Sequence, residues 1–216
     1  MKSHFEILTS LLEEKIVAIV RLDSGEQLVK VAEALKAGGI SAIEFTFSTP
    51  GALAMVKAAS AHFGSEVLLG AGTVLDPETA RAAILAGAQF IVTPSVNLAT
   101  IAMCKRYGKP IVAGAMTPTE IMTVWEAGAD LVKVFPASAI GGPDYIKAVL
   151  APLPQLRLVP TGGVSADNAA QFLKAGAAAV AVGGNLVDKK AVARGDWAAI
   201  TAEAQRLVAA VRSVSA

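Results

Sequence analysis

The sequence predicts an α/β protein organised as a (β/α)8 barrel, a TIM barrel, preceded by an N-terminal helix. Three observations carry this. Eight short runs rich in Val, Ile, Leu and Ala recur roughly every 20–26 residues. Each run is followed by a helix-forming stretch, the alternation that builds parallel sheets. A doubly wound open sheet is the alternative, but the pattern G-x-G-x-x-G is absent after the first run. No linker or low-complexity stretch interrupts the rhythm, so residues 1–216 read as a single domain.

Residues 3–15 form the N-terminal capping helix of this reading. Ser3 and Glu6 match a capping box, and Phe5, Leu8, Leu11 and Leu12 make an apolar stripe. Ile16–Arg21 follows as a continuous apolar run, expected of a strand buried on both faces, with Arg21 at its C-terminal end. A helix is expected from about Gly25 to Ala37, stopped by Gly38-Gly39. The remaining strands are expected at Ala42–Phe47, Val67–Ala71, Phe90–Thr93, Ile111–Ala115, Leu131–Phe135, Leu156–Pro160 and Ala178–Val182. Helices between them open on a cap followed by proline, as at Thr49-Pro50, Asp76-Pro77 and Thr117-Pro118. Several close on glycine, as at Ala86-Gly87-Ala88, Ala127-Gly128-Ala129 and Ala175-Gly176-Ala177.

Composition narrows the function classes. The 216 residues are 54% hydrophobic and 17% charged, enough for one large core and unlike a disordered chain. A net charge of +1 with scattered basic residues leaves no electrostatic footprint for nucleic acid. The single cysteine, Cys104, forms no internal disulfide and is expected to pack as a small apolar side chain. His4 and His62 fall in no metal-ligand spacing, so no metal site is expected, and both read as surface or helix-end residues. The N-terminus carries Glu6, Glu13 and Glu14 without a long apolar run, which does not read as a signal peptide. The most apolar stretch, Ala175 to Gly184, is too short to span a bilayer. A cytoplasmic protein without membrane contact is expected.

Barrels of this kind place their functional groups at the C-terminal ends of the strands. There the sequence puts Arg21, Glu44 with Thr46, Gly70-Ala71-Gly72-Thr73, Thr93-Pro94-Ser95, Gly114 with Met116, Lys133 with Phe135, Thr161-Gly162-Gly163, and Gly183-Gly184-Asn185. Glycine-rich turns after strands seven and eight suit phosphate. Backbone N–H groups approach the oxygens closely, and a following helix N-terminus favours an anion. The alternative is that Gly183-Gly184 only turns a corner.

Lys133 is the unusual residue. In Leu131-Val132-Lys133-Val134-Phe135-Pro136-Ala137, side chains alternate, so Lys133 shares a face with Leu131 and Phe135, and Pro136 ends the run. Such a lysine is an exposed edge residue, a buried ion-pair partner, or an amine held in a dry cavity, where burial frees the nucleophile. Glu44 is expected to point into the mouth with Thr46, while Ile43 and Phe45 face the helices. It is either an ion-pair partner of Lys133 or Arg21, or a general acid/base raised by partial burial. An amine with a carboxylate is the minimum set for imine chemistry on a ketone.

Several long motifs in order resemble the 2-keto-3-deoxy-6-phosphogluconate (KDPG) / 4-hydroxy-2-oxoglutarate (KHG) aldolase family, over the span from the first strand to about Asp188. One is Gly39-Ile40-Ser41-Ala42-Ile43-Glu44-Phe45-Thr46-Phe47-Ser48; another is Gly128 to Ala137 followed by Gly141. Gly70-Ala71-Gly72-Thr73-Val74-Leu75 and Pro160-Thr161-Gly162-Gly163-Val164 are also similar to family stretches. The resemblance implies a class I pyruvate aldolase on a homotrimeric barrel, without cofactor or metal. Lys133 is then the Schiff-base residue and Glu44 the proton-transfer residue. Thr73 helps hold pyruvate's carboxylate, Pro94 and Phe135 line the pocket, and Thr161 joins the substrate-binding set. Gly162, Gly163, Gly183, Gly184 and Asn185 form the phosphate end. Two positions depart from the pattern. Ser48 stands where the signature often has arginine, which makes Arg21 the candidate cation for the carboxylate. Asn185 stands where some members have serine. The expected reaction cleaves KDPG to pyruvate and D-glyceraldehyde 3-phosphate. The alternatives are the same chemistry on 4-hydroxy-2-oxoglutarate or a phosphogalactonate analogue, and a non-catalytic sugar-phosphate-binding barrel.

Overall fold

A computed structural model describes residues 2–22 and 27–214. Eight strands are present: β1 (Ile16–Val20), β2 (Ala42–Thr46), β3 (Leu68–Gly72), β4 (Phe90–Val92), β5 (Ile111–Ala115), β6 (Leu131–Val134), β7 (Leu158–Pro160) and β8 (Val180–Val182). They form one parallel sheet in the order β7-β6-β5-β4-β3-β2-β1-β8. Between its two ends, the Ala178 N–H donates to the Leu158 carbonyl at 2.9 Å, and a parallel bridge pairs Thr161 with Ala181. The sheet therefore curls into a nearly closed barrel, as the strand count predicts.

Helices α1 (His4–Glu14), α2 (Leu28–Ala37), α3 (Ala52–Phe63), α4 (Pro77–Ala86), α5 (Leu98–Arg106), α6 (Pro118–Glu126), α7 (Pro143–Leu150), α8 (Ala169–Lys174), α9 (Lys189–Arg194) and α10 (Trp197–Arg212) complete the chain, with a 3₁₀ turn at Ala137–Ile140. The caps expected at Ser3, Asp76 and Thr117 all accept backbone N–H groups, and those at Ser3 and Thr117 close full capping boxes. The expected onset of the second helix near Gly25 lies outside the described residues. Three strands start later than expected, β3 by one residue and β7 and β8 by two. Leu156 is held in a turn by its N–H to the Leu153 carbonyl, and β8 meets β1 only from Val180 onward.

Period-two alternation splits the strands between two cores. Ala18, Ile43, Phe45, Val132 and Val134 face outward into the layer shared with the helices. Val17, Ile19, Ala42, Phe90, Leu131 and Val159 face inward. Ile7 and Leu11 of α1 belong to that inner core, so the helix closes one end of the barrel. The Glu14 carboxylate accepts the Ser41 and Ala42 N–H groups (2.6 and 2.9 Å), and His4 Nε2 lies 2.7 Å from Asp130 Oδ1. These contacts anchor both ends of α1, and they make His4 the helix-end residue expected. The interior is tight: a Cβ on Gly70 would lie 2.3 Å from the Phe90 ring.

Candidate active site

A cavity of about 750 Å³ opens at the C-terminal ends of the strands. Arg21, Thr73, Pro94, Lys133, Phe135 and Thr161 form one part of its wall. The two glycine-rich loops, with Asn185, form the part beyond. Eleven of the residues singled out in the sequence thus share one cavity.

Lys133 occupies the inward register of β6, paired between Gly114 on β5 and Val159 on β7. It is only 5% exposed, yet it reaches the cavity surface. Burial pulls its pKa down from the ordinary 10.5; the Glu44 charge opposes this shift and the Arg21 charge adds to it. Phe135 follows the strand rather than belonging to it. Its ring centroid lies 5.2 Å from Lys133 Nζ, and the residue is 38% exposed. It forms a lip over the amine.

Glu44 differs from expectation. It faces inward as the alternation requires, but it is 1% exposed and forms no part of the cavity surface. Its register partners are Ile19 on β1 and Gly70 on β3. Both carboxyl oxygens are buried without a hydrogen-bond partner among the described residues. A Cβ on Gly72 would lie 2.6 Å from Oε1, so the glycine makes the space the carboxyl fills. Burial raises the Glu44 pKa, and the charges of Lys133 and Arg21 lower it in part. Both shifts point toward the neutral forms, a free amine on Lys133 and a protonated acid on Glu44, with burial as the larger cause in each.

Thr46 does not join the mouth either. It is fully buried, with its hydroxyl 3.3 Å from Thr49 Oγ1, and it accepts from Ser48 Oγ at 3.3 Å. Ser48 is exposed and lies off the cavity wall, whereas Arg21 is on it. Thr73 has φ +56°, a left-handed conformation that β-branched residues rarely adopt. The next residue is fixed by its N–H to the Val92 carbonyl at 3.2 Å. Such strain persists where the surroundings dictate it, and functional clefts are where it collects.

Gly162 and Gly163 both have positive φ (+90° and +75°), and Ser138 fills the space a Cβ on Gly163 would need. The loop runs on to Asn168 before α8 begins at Ala169, so after β7 loop residues rather than the N-terminus of α8 border the cavity, whereas after β8 the N-cap Asp188 and first residue Lys189 of α9 do line it. Val164, Asp188 and Lys189 also belong to the wall and were not marked in the sequence. Their only signal was their place just after the two glycine pairs. Among the described residues, no three His, Cys, Asp or Glu side chains come together as a metal site. Cys104 is buried, with its thiol pushed up to about 12, and stands apart from the cavity as an apolar packing residue.

The family model described as KDPG and KHG aldolase matches residues 7–203. The chain belongs to this family. A 2-dehydro-3-deoxy-phosphogluconate aldolase from Treponema pallidum is 38% identical over 201 residues, 93% of this chain and 95% of that one. A 2-dehydro-3-deoxy-6-phosphogalactonate aldolase from Escherichia coli is 38% identical over 173 residues, 79% and 83% of the two chains. The crystal structure of the Legionella pneumophila KDPG aldolase, with pyruvate captured as a covalent carbinolamine, superposes with a TM-score of 0.87. It is 28% identical and covers 93% of this chain and 97% of that one. As a KDPG/KHG aldolase family member the chain is a carbon–carbon lyase, acting on a keto acid. Among the described residues no helix is long and apolar enough to cross a membrane.

Proposed function

We propose that this aldolase works through a Schiff base on Lys133 and cleaves 2-keto-3-deoxy-6-phosphogluconate reversibly to pyruvate and D-glyceraldehyde 3-phosphate. The observation that carries the reading is Lys133 itself: a buried amine, depressed in pKa, opening on the cavity that Arg21, Thr73, Phe135 and the two glycine-rich loops also line. The free amine attacks the C2 ketone, and the carbinolamine loses its hydroxyl as water, the proton passing from the Glu44 acid through one water because Glu44 lies behind the cavity wall. The C3–C4 bond then breaks. Its electron pair passes to the iminium to give an enamine, and the C4 hydroxyl proton returns by the same route to the Glu44 carboxylate, leaving the aldehyde. Glu44 then supplies the proton that C3 takes, and addition of water to the iminium releases pyruvate and restores the amine and the acid. The covalent carbinolamine of the Legionella pneumophila relative supports this order of events.

Arg21 and Thr73, beside Lys133, are suited to the carboxylate, with Pro94 and Phe135 confining the three-carbon unit and Thr161 bordering it. At the far side, Gly162, Gly163, Gly183 and Gly184 offer backbone amides to the phosphate. A phosphogalactonate substrate is the second reading, since the relative of that name is as similar as the phosphogluconate enzyme from Treponema pallidum. Family resemblance supports a homotrimer and a cytoplasmic enzyme.

Borohydride reduction in the presence of pyruvate should attach a reduced pyruvyl group to Lys133, read by peptide mass. No adduct, or one elsewhere, would end the imine assignment. A lactate dehydrogenase-coupled assay over phosphogluconate-, phosphogalactonate- and glutarate-type keto acids decides the substrate.

A further inference from the structure

The loop after β7 is held in an unusual way. Four consecutive carbonyls, those of Thr161, Gly162, Gly163 and Val164, are each occupied. The Ala137 N–H donates to the first (2.8 Å) and the Ser138 N–H to the second (3.2 Å). Asn168 Nδ2 donates to the third and Asn185 Nδ2 to the fourth, both at 2.9 Å. In a trans peptide the C=O and the next N–H point opposite ways. Fixing the Thr161, Gly162 and Gly163 carbonyls therefore turns the N–H groups of Gly162, Gly163 and Val164 to the other side of the loop. These three residues line the cavity, and their N–H groups have no protein partner among the described residues. The positive φ of both glycines is what lets successive amides converge.

Asn185 adds something the other three ties do not. It lies after β8, so its amide crosses the one junction of the barrel where neighbouring strands form no ladder of their own. Below it, that junction is held by the Thr161–Ala181 bridge and the Ala178 N–H. Since the Val164 oxygen can only accept, it must face the NH2 side of the Asn185 amide.

We propose that Asn185 and Asn168 are positioning residues: their amides hold the Val164 and Gly163 carbonyls, clasping the loop after β7 so that its free N–H groups stay aimed at a phosphate in the cavity. The phosphate itself rests on the reading given above. Asn185 then acts through the loop and across the junction.

Asn168 supplies the test, because it ties the loop without being part of the cavity wall. Its loss cannot be the loss of a ligand contact. Inorganic phosphate is titrated into the full-length wild type, Asn168→Ala, Asn185→Ala and Asn185→Asp, followed by phosphorus NMR. Hydrogen exchange at Thr161 and Ser165, whose N–H groups are bonded to Val134 and Asn168, is measured without ligand. Pyruvate-dependent reduction at Lys133 serves as the folding check. Both alanine variants should bind phosphate roughly 5–30-fold more weakly, the usual effect of losing one such hydrogen bond. Asn185→Asp should lose more, because a carboxylate would face the Val164 oxygen. Exchange at Thr161 should speed up in Asn185→Ala. Weakened phosphate binding in Asn185→Ala alone, with exchange unaltered, would make Asn185 a direct ligand and overturn the proposal. If wild type binds no phosphate, the phosphate reading of the cavity fails; exchange then still decides the clasp, which unaltered exchange in both variants would remove.

Discussion

Arg21→Ala, set against Ser48→Ala, tests how the enzyme holds a substrate carboxylate without the arginine that its family signature often carries. The anion needs charge-assisted donors, because an unpaired carboxylate in a half-dry cavity is costly. Arg21 ends up on the cavity wall near the buried amine, whereas Ser48 is exposed, off the wall, and spends its hydroxyl on Thr46 at 3.3 Å. A hydrogen bond to a charged group contributes about 1.5–3 kcal/mol, and the exposure of Arg21 argues for the lower half of that range. Arg21→Ala should therefore lower kcat/KM roughly 10–50-fold. Ser48→Ala, a surface change, should stay within about twofold. A second readout separates clamp from scaffold. The Arg21 charge pushes the Lys133 pKa down, so its removal should move the pH profile of pyruvate trapping upward. Both variants go through one coupled assay and one trapping series. A large loss at Ser48 with Arg21 silent would refute the assignment, and an unmoved trapping profile in Arg21→Ala would show that its charge does not act on the amine.

Glu44→Gln keeps size but cannot give or take the proton, so turnover should fall roughly 10²–10⁴-fold while pyruvate trapping at Lys133 remains detectable. The same variant has a stability signature. Burial raises the Glu44 pKa, so the native state keeps this proton to higher pH than the unfolded chain; stability should fall as pH rises above about 4.5 through the raised range, and thermal denaturation across pH should show that fall removed in Glu44→Gln. Lys133 has the opposite sign: its trapping rate should rise with pH and level off below 10.5, and Lys133→Arg should restore nothing, because guanidinium stays protonated. A wild-type rate still climbing beyond that pH would mean the amine is not depressed. Gly70→Ala places a Cβ 2.3 Å from the Phe90 ring in the inner core, and overpacking there should cost about 1–3 kcal/mol, visible as a lower Tm.

The barrel was legible because its strands are short apolar runs with both faces buried, and because caps and glycine stops marked the helices between them. Alternation alone sent Lys133 and Glu44 inward and Val132, Val134, Ile43 and Phe45 outward, as found. What alternation cannot supply is depth. Lys133 reaches the cavity while Glu44, equally inward, is sealed away, because Gly72 leaves room beside it for the carboxyl to fold into. The left-handed turn at Thr73 was also invisible, since a threonine announces no positive φ. The ties from Asn168 and Asn185 escaped notice for another reason. Asn185 reaches a residue 21 positions away, and only closure of the barrel brings the two loops together.

The sealed carboxyl bears on how the site works. A carboxylate in the cavity would be solvated, would pair with Lys133, and would hold the lysine as an ammonium unable to attack a ketone. Buried without hydrogen bonds, Glu44 favours the protonated acid, and the amine beside it favours the free base. On the proposed Schiff-base mechanism, these shifts favour the neutral nucleophile and the acid that expels water before any substrate arrives. The cost is an unsatisfied polar group in the middle of a close-packed barrel, which a hydrophobic residue at position 44 would remove. Glu44→Leu should accordingly unfold at higher temperature than wild type while losing turnover, and a variant less stable than wild type would mean that the buried carboxyl contributes to the fold as well as to the chemistry.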